Sequence, residues 1–265
     1  PATVGDSVTF TATLTGGSGP FSAFALTSGT TPTGTVEFFD GATSLGTSAL
    51  SGGAATLDTS ALTTGTHSIT ASYSGDANHE AASAPALSQV IAPLSTGLSL
   101  ASSLNPATVG DSVTFTATLT GGSGPAGTLT GGSTPTGTVE FFDGATSLGT
   151  SALSGGAATL DTSALTTGTH SITASYSGDA NHEAASAPAL SQVIAPLSPG
   201  LSLASSLNPA TLGDSVTFTA TLTGGSAPVG TLTGGTAPTG TVEFFDGATS
   251  LGTSALSGGA ATLDT

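Results

Sequence analysis

The sequence predicts an all-β protein built from tandem antiparallel β-sandwiches. Three observations support this fold class: a long internal repeat, short segments in which apolar and polar residues alternate, and the lack of a segment with helical periodicity. The block TVEFFDGATSLGTSALSGGAATLDT begins at Thr35, Thr138 and Thr241, so the period is 103 residues. This period matches one sandwich domain, whereas solenoids and propellers repeat every 20 to 50 residues or so.

The strands follow from alternation within one repeat. In SVTFTATLT, apolar residues at every second position from Val8 to Leu14 alternate with threonines, which is typical of a half-buried strand. Alternation in GTVEFFDG places Val36 and Phe38 on the inward face, and the segment ends in a turn at Asp40 and Gly41. The same reasoning predicts further strands with inward residues Ala55 and Leu57, with inward residues Ile69, Ala71 and Tyr73, in AASAPALSQVI, and in GLSLASSLN.

The period divides the chain into residues 1–95, 96–198 and 199–265, which we call the first, second and third repeats. The first is expected to lack a leading strand, the second to be complete, and the third to lack its trailing strands. We therefore expect a window on a longer repetitive chain, with Val242, Phe244 and Leu263 of the third repeat exposed to water. Prolines in the linkers IAPLSTG and IAPLSPG restrict the backbone and predict a semi-rigid rod.

The charge of the chain excludes several classes of partner. Its 265 residues contain 16 Asp and Glu but no Lys or Arg, which gives a formal charge of −16 at pH 7. Without Lys or Arg the chain cannot neutralise phosphates or bind anionic membrane surfaces electrostatically. No apolar run reaches membrane-spanning length, so we expect no nucleic-acid binding and no membrane insertion. With no Cys, disulfides and thiolate metal sites are also excluded.

Three blocks that occur in a fixed order carry a family resemblance: PTGTVEFFDG, LGTSALSGG and GTHSITASYSGDAN. With NPATVGDSVTFTATLT before them, they resemble the bacterial Ig-like repeat family, which forms tandem arrays in large secreted and surface proteins. The resemblance implies tandem immunoglobulin-like antiparallel β-sandwiches, arranged as beads on a string. It also implies a bacterial secreted protein, extracellular or on the cell surface, with a stalk, adhesin or filament role and no catalysis.

The segment GDANHEAAS contains the candidate metal ligands. Oxygen donors at alternate positions can converge on a hard cation, so weak Ca²⁺ binding is one reading of this spacing. The segment lacks the glycine and the distal Glu of an EF-hand loop, and the alternative is an Asx-type turn between strands. We predict no other cofactor. The candidate ligands are Asp76, Asn78 and Glu80, and their repeats Asp179, Asn181 and Glu183.

The sequence contains no pattern that points to an enzyme. His67 and His170 begin a predicted strand without a recognisable acidic or nucleophilic pattern around them, so we interpret them as polar residues beside a turn. The chain also lacks the G-x-S-x-G motif of serine hydrolases.

An aromatic insert distinguishes the first repeat from the second. GPFSAFALTSG carries Phe21, Phe24 and Leu26, where the second repeat has GPAGTLTGG. Apolar residues in a surface loop can form a contact site, and the alternative is a hairpin that covers its own sandwich. We therefore expect a structural repeat region of an extracellular filament, fibre or stalk, whose partners are copies of itself or a longer repetitive chain. The alternative is an adhesin or glycan-binding array that uses the Phe21 and Phe24 loop.

Overall fold

Every regular element in the described part of the protein is a β-strand. The computed structural model describes residues 2–15, 31–121, 134–223 and 238–265. The prediction of an all-β fold is confirmed. Within these ranges there is no helix of the length and apolarity needed to cross a membrane.

The second repeat forms a sandwich of two sheets. One sheet has the strand order β10-β17-β15-β12-β13, with β16 paired to β15, and the other has the order β14-β11-β9. The strands are β9 Thr96–Ser102, β10 Ala107–Thr108, β11 Val113–Gly121, β12 Thr138–Asp143, β13 Thr146–Ala152, β14 Ala157–Thr162, β15 Gly168–Tyr176, β16 Ala185–Ser186 and β17 Leu190–Ala195.

The first repeat has the same larger sheet but a smaller second one. The larger sheet has the order β1-β8-β6-β3-β4, with β7 paired to β6, and the smaller one pairs β2 with β5. The strands are β1 Ala2–Thr3, β2 Val8–Thr13, β3 Thr35–Asp40, β4 Thr43–Ala49, β5 Ala54–Thr59, β6 Gly65–Tyr73, β7 Ala82–Ser83 and β8 Leu87–Ala92.

The third repeat has one three-stranded and one two-stranded sheet. These are β18-β19-β22 and β20-β21. The strands are β18 Gly200–Ser205, β19 Thr217–Thr223, β20 Thr241–Asp246, β21 Thr249–Ala255 and β22 Ala260–Asp264.

The expectation that Val242, Phe244 and Leu263 would be exposed is wrong. Phe244 is only 5% exposed because it packs with Ala220 and Ala261, and Val242 and Leu263 are partly buried against the same cluster. The apolar surface of the third repeat lies elsewhere, at Leu201, Leu203 and Phe245.

Alternating burial along the strands builds each core. In β11 the buried residues Val113, Phe115, Ala117 and Leu119 alternate with partly buried threonines. They pack against the opposite sheet, where Phe141, Ile172 and Tyr176 are also buried. The predicted inward residues of the first repeat, including Val36, Phe38, Ile69 and Tyr73, form the equivalent core there.

Candidate functional site at the junction between the first two repeats

The linker between the first two repeats is only three residues long. β8 ends at Ala92 and β9 begins at Thr96, so Pro93, Leu94 and Ser95 alone lie between them. Pro93 fixes its own φ and has no amide hydrogen, which limits the paths that the linker can take. Leu94 is 6% exposed although it lies outside any strand. A buried residue in so short a connection indicates that the linker packs against a neighbouring surface.

That surface is a loop of the second repeat, which we call the acceptor loop, residues 178–183. The amide of Leu94 donates to the carbonyl of Asn181 at 2.7 Å, and the amide of Glu183 donates to the carbonyl of Leu94 at 2.9 Å. The two bonds place Leu94 beside His182 as an isolated parallel β-bridge. The linker therefore joins the second repeat through backbone bonds as well as through the covalent chain.

Two hydroxyl groups of the neighbouring chain segments extend this contact. The Oγ1 of Thr96 donates to the carbonyl of Glu183 at 2.6 Å. The Oγ1 of Thr64, which belongs to the first repeat, donates to the carbonyl of Ala180 at 2.7 Å. Three carbonyls of the acceptor loop, those of Ala180, Asn181 and Glu183, are thus paired with donors from the first repeat and from the start of the second.

Asp179 determines the shape of the acceptor loop. Its Oδ2 accepts hydrogen bonds from the amide and the hydroxyl of Thr136, at 2.8 and 3.0 Å. Its Oδ1 accepts from the amide of Asn181 at 2.9 Å and from Nδ1 of His182 at 2.8 Å. Burial of Asp179 opposes ionisation, but these donors stabilise the carboxylate and hold its pKa well below the usual range.

His182 is the buried centre of the junction. Its side chain is completely buried, and Nε2 has no hydrogen-bond partner among the described residues. Because Nδ1 faces a carboxylate oxygen, Nδ1 donates to Asp179, so the ring is oriented by its own loop. The equivalent His79 of the first repeat makes the same bond to Asp76 at 2.8 Å, yet its side chain is 20% exposed. The two loops have the same hydrogen bonds, but a linker packs only on the loop of the second repeat among the described residues. This contact accounts for the difference in burial between His79 and His182.

The Asx-type turn weighed for GDANHEAAS is present in both repeats, with the Asn78 and Asn181 amides bonded to the preceding aspartate. Both oxygens of Asp76 and of Asp179 accept hydrogen bonds from protein donors. Across the described ranges, no group of three or more His, Cys, Asp or Glu residues is arranged to hold a metal ion. Ca²⁺ binding by Asp76, Asn78 and Glu80, or by Asp179, Asn181 and Glu183, stays a prediction that must compete with these bonds.

The reading of His67 and His170 as residues without an acidic neighbour is wrong. Nδ1 of His67 lies 2.7 Å from Oδ2 of Asp40, and Nε2 lies 2.8 Å from the carbonyl oxygen of Thr63. His170 has the same two contacts, with Asp143 and Thr166. Asp40 precedes the turn between β3 and β4, and the pairing of β3 with β6 brings it to His67.

Both ring nitrogens of these histidines face acceptors, so the doubly protonated ring satisfies the site better than the neutral one. The carbonyl of Thr63, and then the Asp40 carboxylate, raise the pKa of His67. The carbonyl of Thr166 and the Asp143 carboxylate raise the pKa of His170 in the same way. In a chain without Lys or Arg, protonated histidines supply the side-chain cations.

The candidate contact loop of Phe21, Phe24 and Leu26 lies outside the described residues.

Two features of the described structure have weak or no sequence signals: the buried Gln192 and the junction itself. Gln192 is fully buried, and its amide bonds to the Ser102 hydroxyl and to the Leu104 carbonyl. A single glutamine in an alternating strand gives no sign of such a role. The one signal for the junction was the leucine that follows the linker proline.

The comparison with protein-family models identifies Ig-like domains in the chain. The family model for the bacterial Ig-like domain (group 3) matches residues 1–92 and 100–195, which together exceed half of the chain. No curated protein is significantly similar to it in sequence.

Three solved structures resemble the chain at low identity. The fibronectin(III)-like modules of Clostridium thermocellum CbhA are 15% identical, with 74% of this chain and 88% of that chain covered and a TM-score of 0.28. The mouse nectin-like molecule 4 ectodomain is 17% identical, with 61% and 54% covered and a TM-score of 0.26. A protein described as membrane anchored, from Corynebacterium diphtheriae, is 17% identical, with 83% and 61% covered and a TM-score of 0.32. The chain thus spans little more than half of the last two.

Sheet order, alternating cores and the two tandem matches therefore support one conclusion. The chain belongs to the bacterial Ig-like domain family, group 3, and carries tandem Ig-like repeats.

Proposed function

We propose that the chain is a structural spacer, the repeat region of a bacterial surface or extracellular stalk, fibre or filament. The observation that carries this proposal is the burial of Leu94 in the acceptor loop, with backbone bonds to Asn181 and Glu183. A linker that is bonded to the next repeat limits rotation between neighbours, so that length grows with the number of repeats.

The composition supports the same role. A chain without Lys or Arg offers trypsin-like proteases no cleavage site, which suits exposure outside the cell. The first two repeats are identical over residues 34–95 and 137–198. Such repetition suits a spacer better than a domain that binds one specific ligand, because each repeat adds the same framework. The proposal assigns the chain no catalytic step.

The test measures the distance distribution between the first two repeats. The chain has no cysteine, so Thr56→Cys and Thr159→Cys, at exposed equivalent positions of β5 and β14, introduce a unique spin-label pair. We expect a narrow distribution by pulsed electron resonance, which Leu94→Asp broadens because a carboxylate cannot occupy the buried site. Ser95→Asp adds the same charge at an exposed neighbour and should leave the distribution narrow. A distribution that is broad in the parent, or that Leu94→Asp leaves unchanged, would contradict the proposal.

An adhesin or glycan-binding role is the second candidate, and the observation that favours it is the insert of the first repeat. Phe21 and Phe24 have no aromatic counterparts in the shorter segment of the second repeat, which has Leu129 in the place of Leu26. Replacing both phenylalanines by alanine should abolish attachment to a surface, with the inter-repeat distance unchanged, if this role is correct. Unchanged attachment would leave the spacer as the sole proposal.

A further inference from the structure

Each of the first two repeats has an Asp-Gly pair at the tip of a hairpin. Asp40 is the last residue of β3 and Gly41 opens the turn to β4, and Asp143 and Gly144 stand at the same place in the second repeat. In an Asp-Gly pair the glycine nitrogen can attack the side-chain carbonyl carbon of the aspartate, because glycine has no side chain to hinder the approach. The turn is therefore a place where the backbone can rearrange chemically.

The rearrangement has two balanced steps. In the first, the nitrogen of Gly41 forms a bond to Cγ of Asp40, and one carboxyl oxygen leaves as water with the amide proton and the acid proton, which gives a five-membered succinimide. In the second, water adds to the α-carbonyl of the ring and breaks its bond to the nitrogen, which gives an isoaspartate. The chain then runs through the side chain of Asp40 and has one extra methylene, at the residue that pairs with both Thr43 and Ile69.

The attacking nitrogen is held by the neighbouring strand. The amide of Gly41 donates to the carbonyl of Ser68 at 2.9 Å, and the amide of Gly144 donates to the carbonyl of Ser171 at the same distance. Both glycines are exposed, so water has access to the turn. The nitrogen must nevertheless give up its bond to β6 or β15 before it can turn towards the aspartate side chain.

Both oxygens of the Asp40 carboxylate are held as well. Oδ1 accepts from the amide of Ser68 at 3.1 Å, and Oδ2 lies 2.7 Å from Nδ1 of His67. Because Oδ2 belongs to a carboxylate, Nδ1 is the donor in this contact. The bond opposes the rearrangement in two ways: it fixes Cγ against β6, and it engages one of the two oxygens of which one must leave as water.

The imidazole that makes this bond is itself fixed. Nε2 of His67 lies 2.8 Å from the carbonyl oxygen of Thr63, and the side chain is only 11% exposed. His170 has the equivalent contacts with Asp143 and Thr166, and its side chain is 12% exposed. A ring that is bonded at both nitrogens and mostly covered cannot swing away from the carboxylate without losing both bonds.

We propose that Asp40-Gly41 and Asp143-Gly144 are latent isoaspartate sites, and that His67 and His170 are positioning residues that keep them closed. Each histidine thereby preserves the covalent backbone of its own repeat. The proposal concerns the hairpin tips and not the junction, so it is independent of the spacer function. The opposite role for the same imidazole is that of a proton donor to the leaving oxygen, which would speed the rearrangement.

The test follows isoaspartate formation in the folded full chain during prolonged incubation at neutral pH. Cleavage after glutamate releases residues 38–80 and 141–183, which have the same sequence, so a substitution in the first repeat distinguishes its peptide by mass. Electron-transfer fragmentation then locates the isoaspartate at the Asp-Gly pair. The unchanged second repeat is an internal control within the same molecule.

His67→Ala should raise the rate at Asp40 about tenfold over the rate at Asp143, the factor that corresponds to one lost hydrogen bond to a charged group. His67→Asn retains an N–H donor near the place of Nδ1 and should restore most of the protection. Equal rates at the two sites in His67→Ala would overturn the proposal. A slower rate at Asp40 would also overturn it, and would identify the imidazole as a proton donor to the leaving oxygen.

A general loss of stability in His67→Ala is the competing explanation. Tyr73→Phe is the matched control, because it removes the hydrogen bond from the Tyr73 hydroxyl to the Thr33 carbonyl in the same repeat and leaves His67 in place. It also changes the mass of the 38–80 peptide. The two variants are compared in urea concentrations that give the same free energy of unfolding. Tyr73→Phe should then leave the rate at Asp40 well below that in His67→Ala, and equal rates in the two variants would overturn the proposal.

The route through the glycine nitrogen has its own control. Gly41→Ala adds a methyl group that meets no atom within 4 Å in the fold but hinders attack by the nitrogen. Added to His67→Ala, it should bring the rate at Asp40 back towards the rate at Asp143. A rate that stays high in this double variant would mean that the product does not arise through the Asp-Gly succinimide, and the proposal would fail.

Discussion

A methyl group on the α-carbon of Gly178 would lie 2.7 Å from the carbonyl oxygen of His182. The same residue has a φ of +84°, in the left-handed region, so it starts the acceptor loop in a conformation that suits glycine alone. Because Gly178 has no side chain, the carbonyl of His182 can lie close to it and accept a hydrogen bond from the amide of Asp179.

Gly178→Ala should therefore destabilise the second repeat by more than backbone strain alone. Left-handed strain costs about 1–2 kcal/mol for a residue with a side chain, and the contact with the His182 carbonyl adds to it. Gly144→Ala is the control, because Gly144 has a φ of +56° with no atom within 4 Å of the added carbon. Urea unfolding should give the larger loss for Gly178→Ala. Equal losses of unfolding free energy in the two variants would show that the contact with the His182 carbonyl does not contribute to the cost.

Asp179→Ala should cost about 2–4 kcal/mol of unfolding free energy, because it leaves two partly buried donors, the Asn181 amide and Nδ1 of His182, without an acceptor. Asp161→Ala is the control: Asp161 is exposed and accepts from the Thr114 hydroxyl, which water can also bind, so we expect a loss of no more than about 1 kcal/mol. The chain has two tyrosines and no tryptophan, so in a Tyr73→Phe background the fluorescence of Tyr176 reports the second repeat. Similar losses for the two variants would contradict this account.

Stability should rise as pH falls from 8 to 6. The pKa values of His67 and His170 are raised above their ordinary value of 6.5 by the Thr63 and Thr166 carbonyls and by the paired aspartates. A raised folded-state pKa gives stability that is complete below pH 6.5 and is lost as pH rises through the folded-state value. Thermal melting in this range should show the effect.

The variant for the pH prediction is the double change His67→Gln and His170→Gln, which keeps a polar side chain without the titration. It should flatten the dependence of melting temperature on pH between 8 and 6. A slope that persists in the double variant would assign the effect to other groups.

The two tyrosines should resist ionisation at a pH where free phenols titrate. Burial, together with the nearby Asp179 charge, raises the pKa of Tyr176 to about 12, and burial also raises the pKa of Tyr73. Each hydroxyl donates to a backbone carbonyl at 2.9 Å, of Thr33 or Thr136. The stability from these groups is complete below pH 10 and is lost as pH rises towards 12. Tyrosinate absorbance should therefore appear well above pH 10 in the folded chain and near pH 10 in urea; coincident curves would refute this.

Local patterns in the sequence predicted the strands because alternation is a property of neighbours along the chain. Phe10, Val36, Phe38 and Tyr73 were placed inward by alternation, and each is buried. The Asx-type turn at Asp76 followed from residue type in the same way. These features need no knowledge of which strands become neighbours.

The junction and the histidine sites could not be predicted because they depend on long-range pairing. Leu94 and His182 are 88 residues apart in the chain and meet only when two sandwiches form side by side. His67 reaches Asp40 only because β6 pairs with β3. Phe244 was expected to be exposed because its repeat has fewer strands than the second repeat. Ala220 and Ala261 of the opposite sheet nevertheless cover its side chain.

The parallel pair at the edge of each larger sheet has a mechanical consequence. In the first repeat Ala2 and Thr3 of β1 run alongside Ile91 and Ala92 of β8, and in the second repeat β10 runs alongside β17 in the same way. Strands that run in the same direction carry the chain in at one end of the sheet and out at the other. Tension applied to the ends of such a pair slides one strand past the other, so its hydrogen bonds are strained together and not broken one after another. A repeat of this kind resists extension along the array more than it resists peeling from the side.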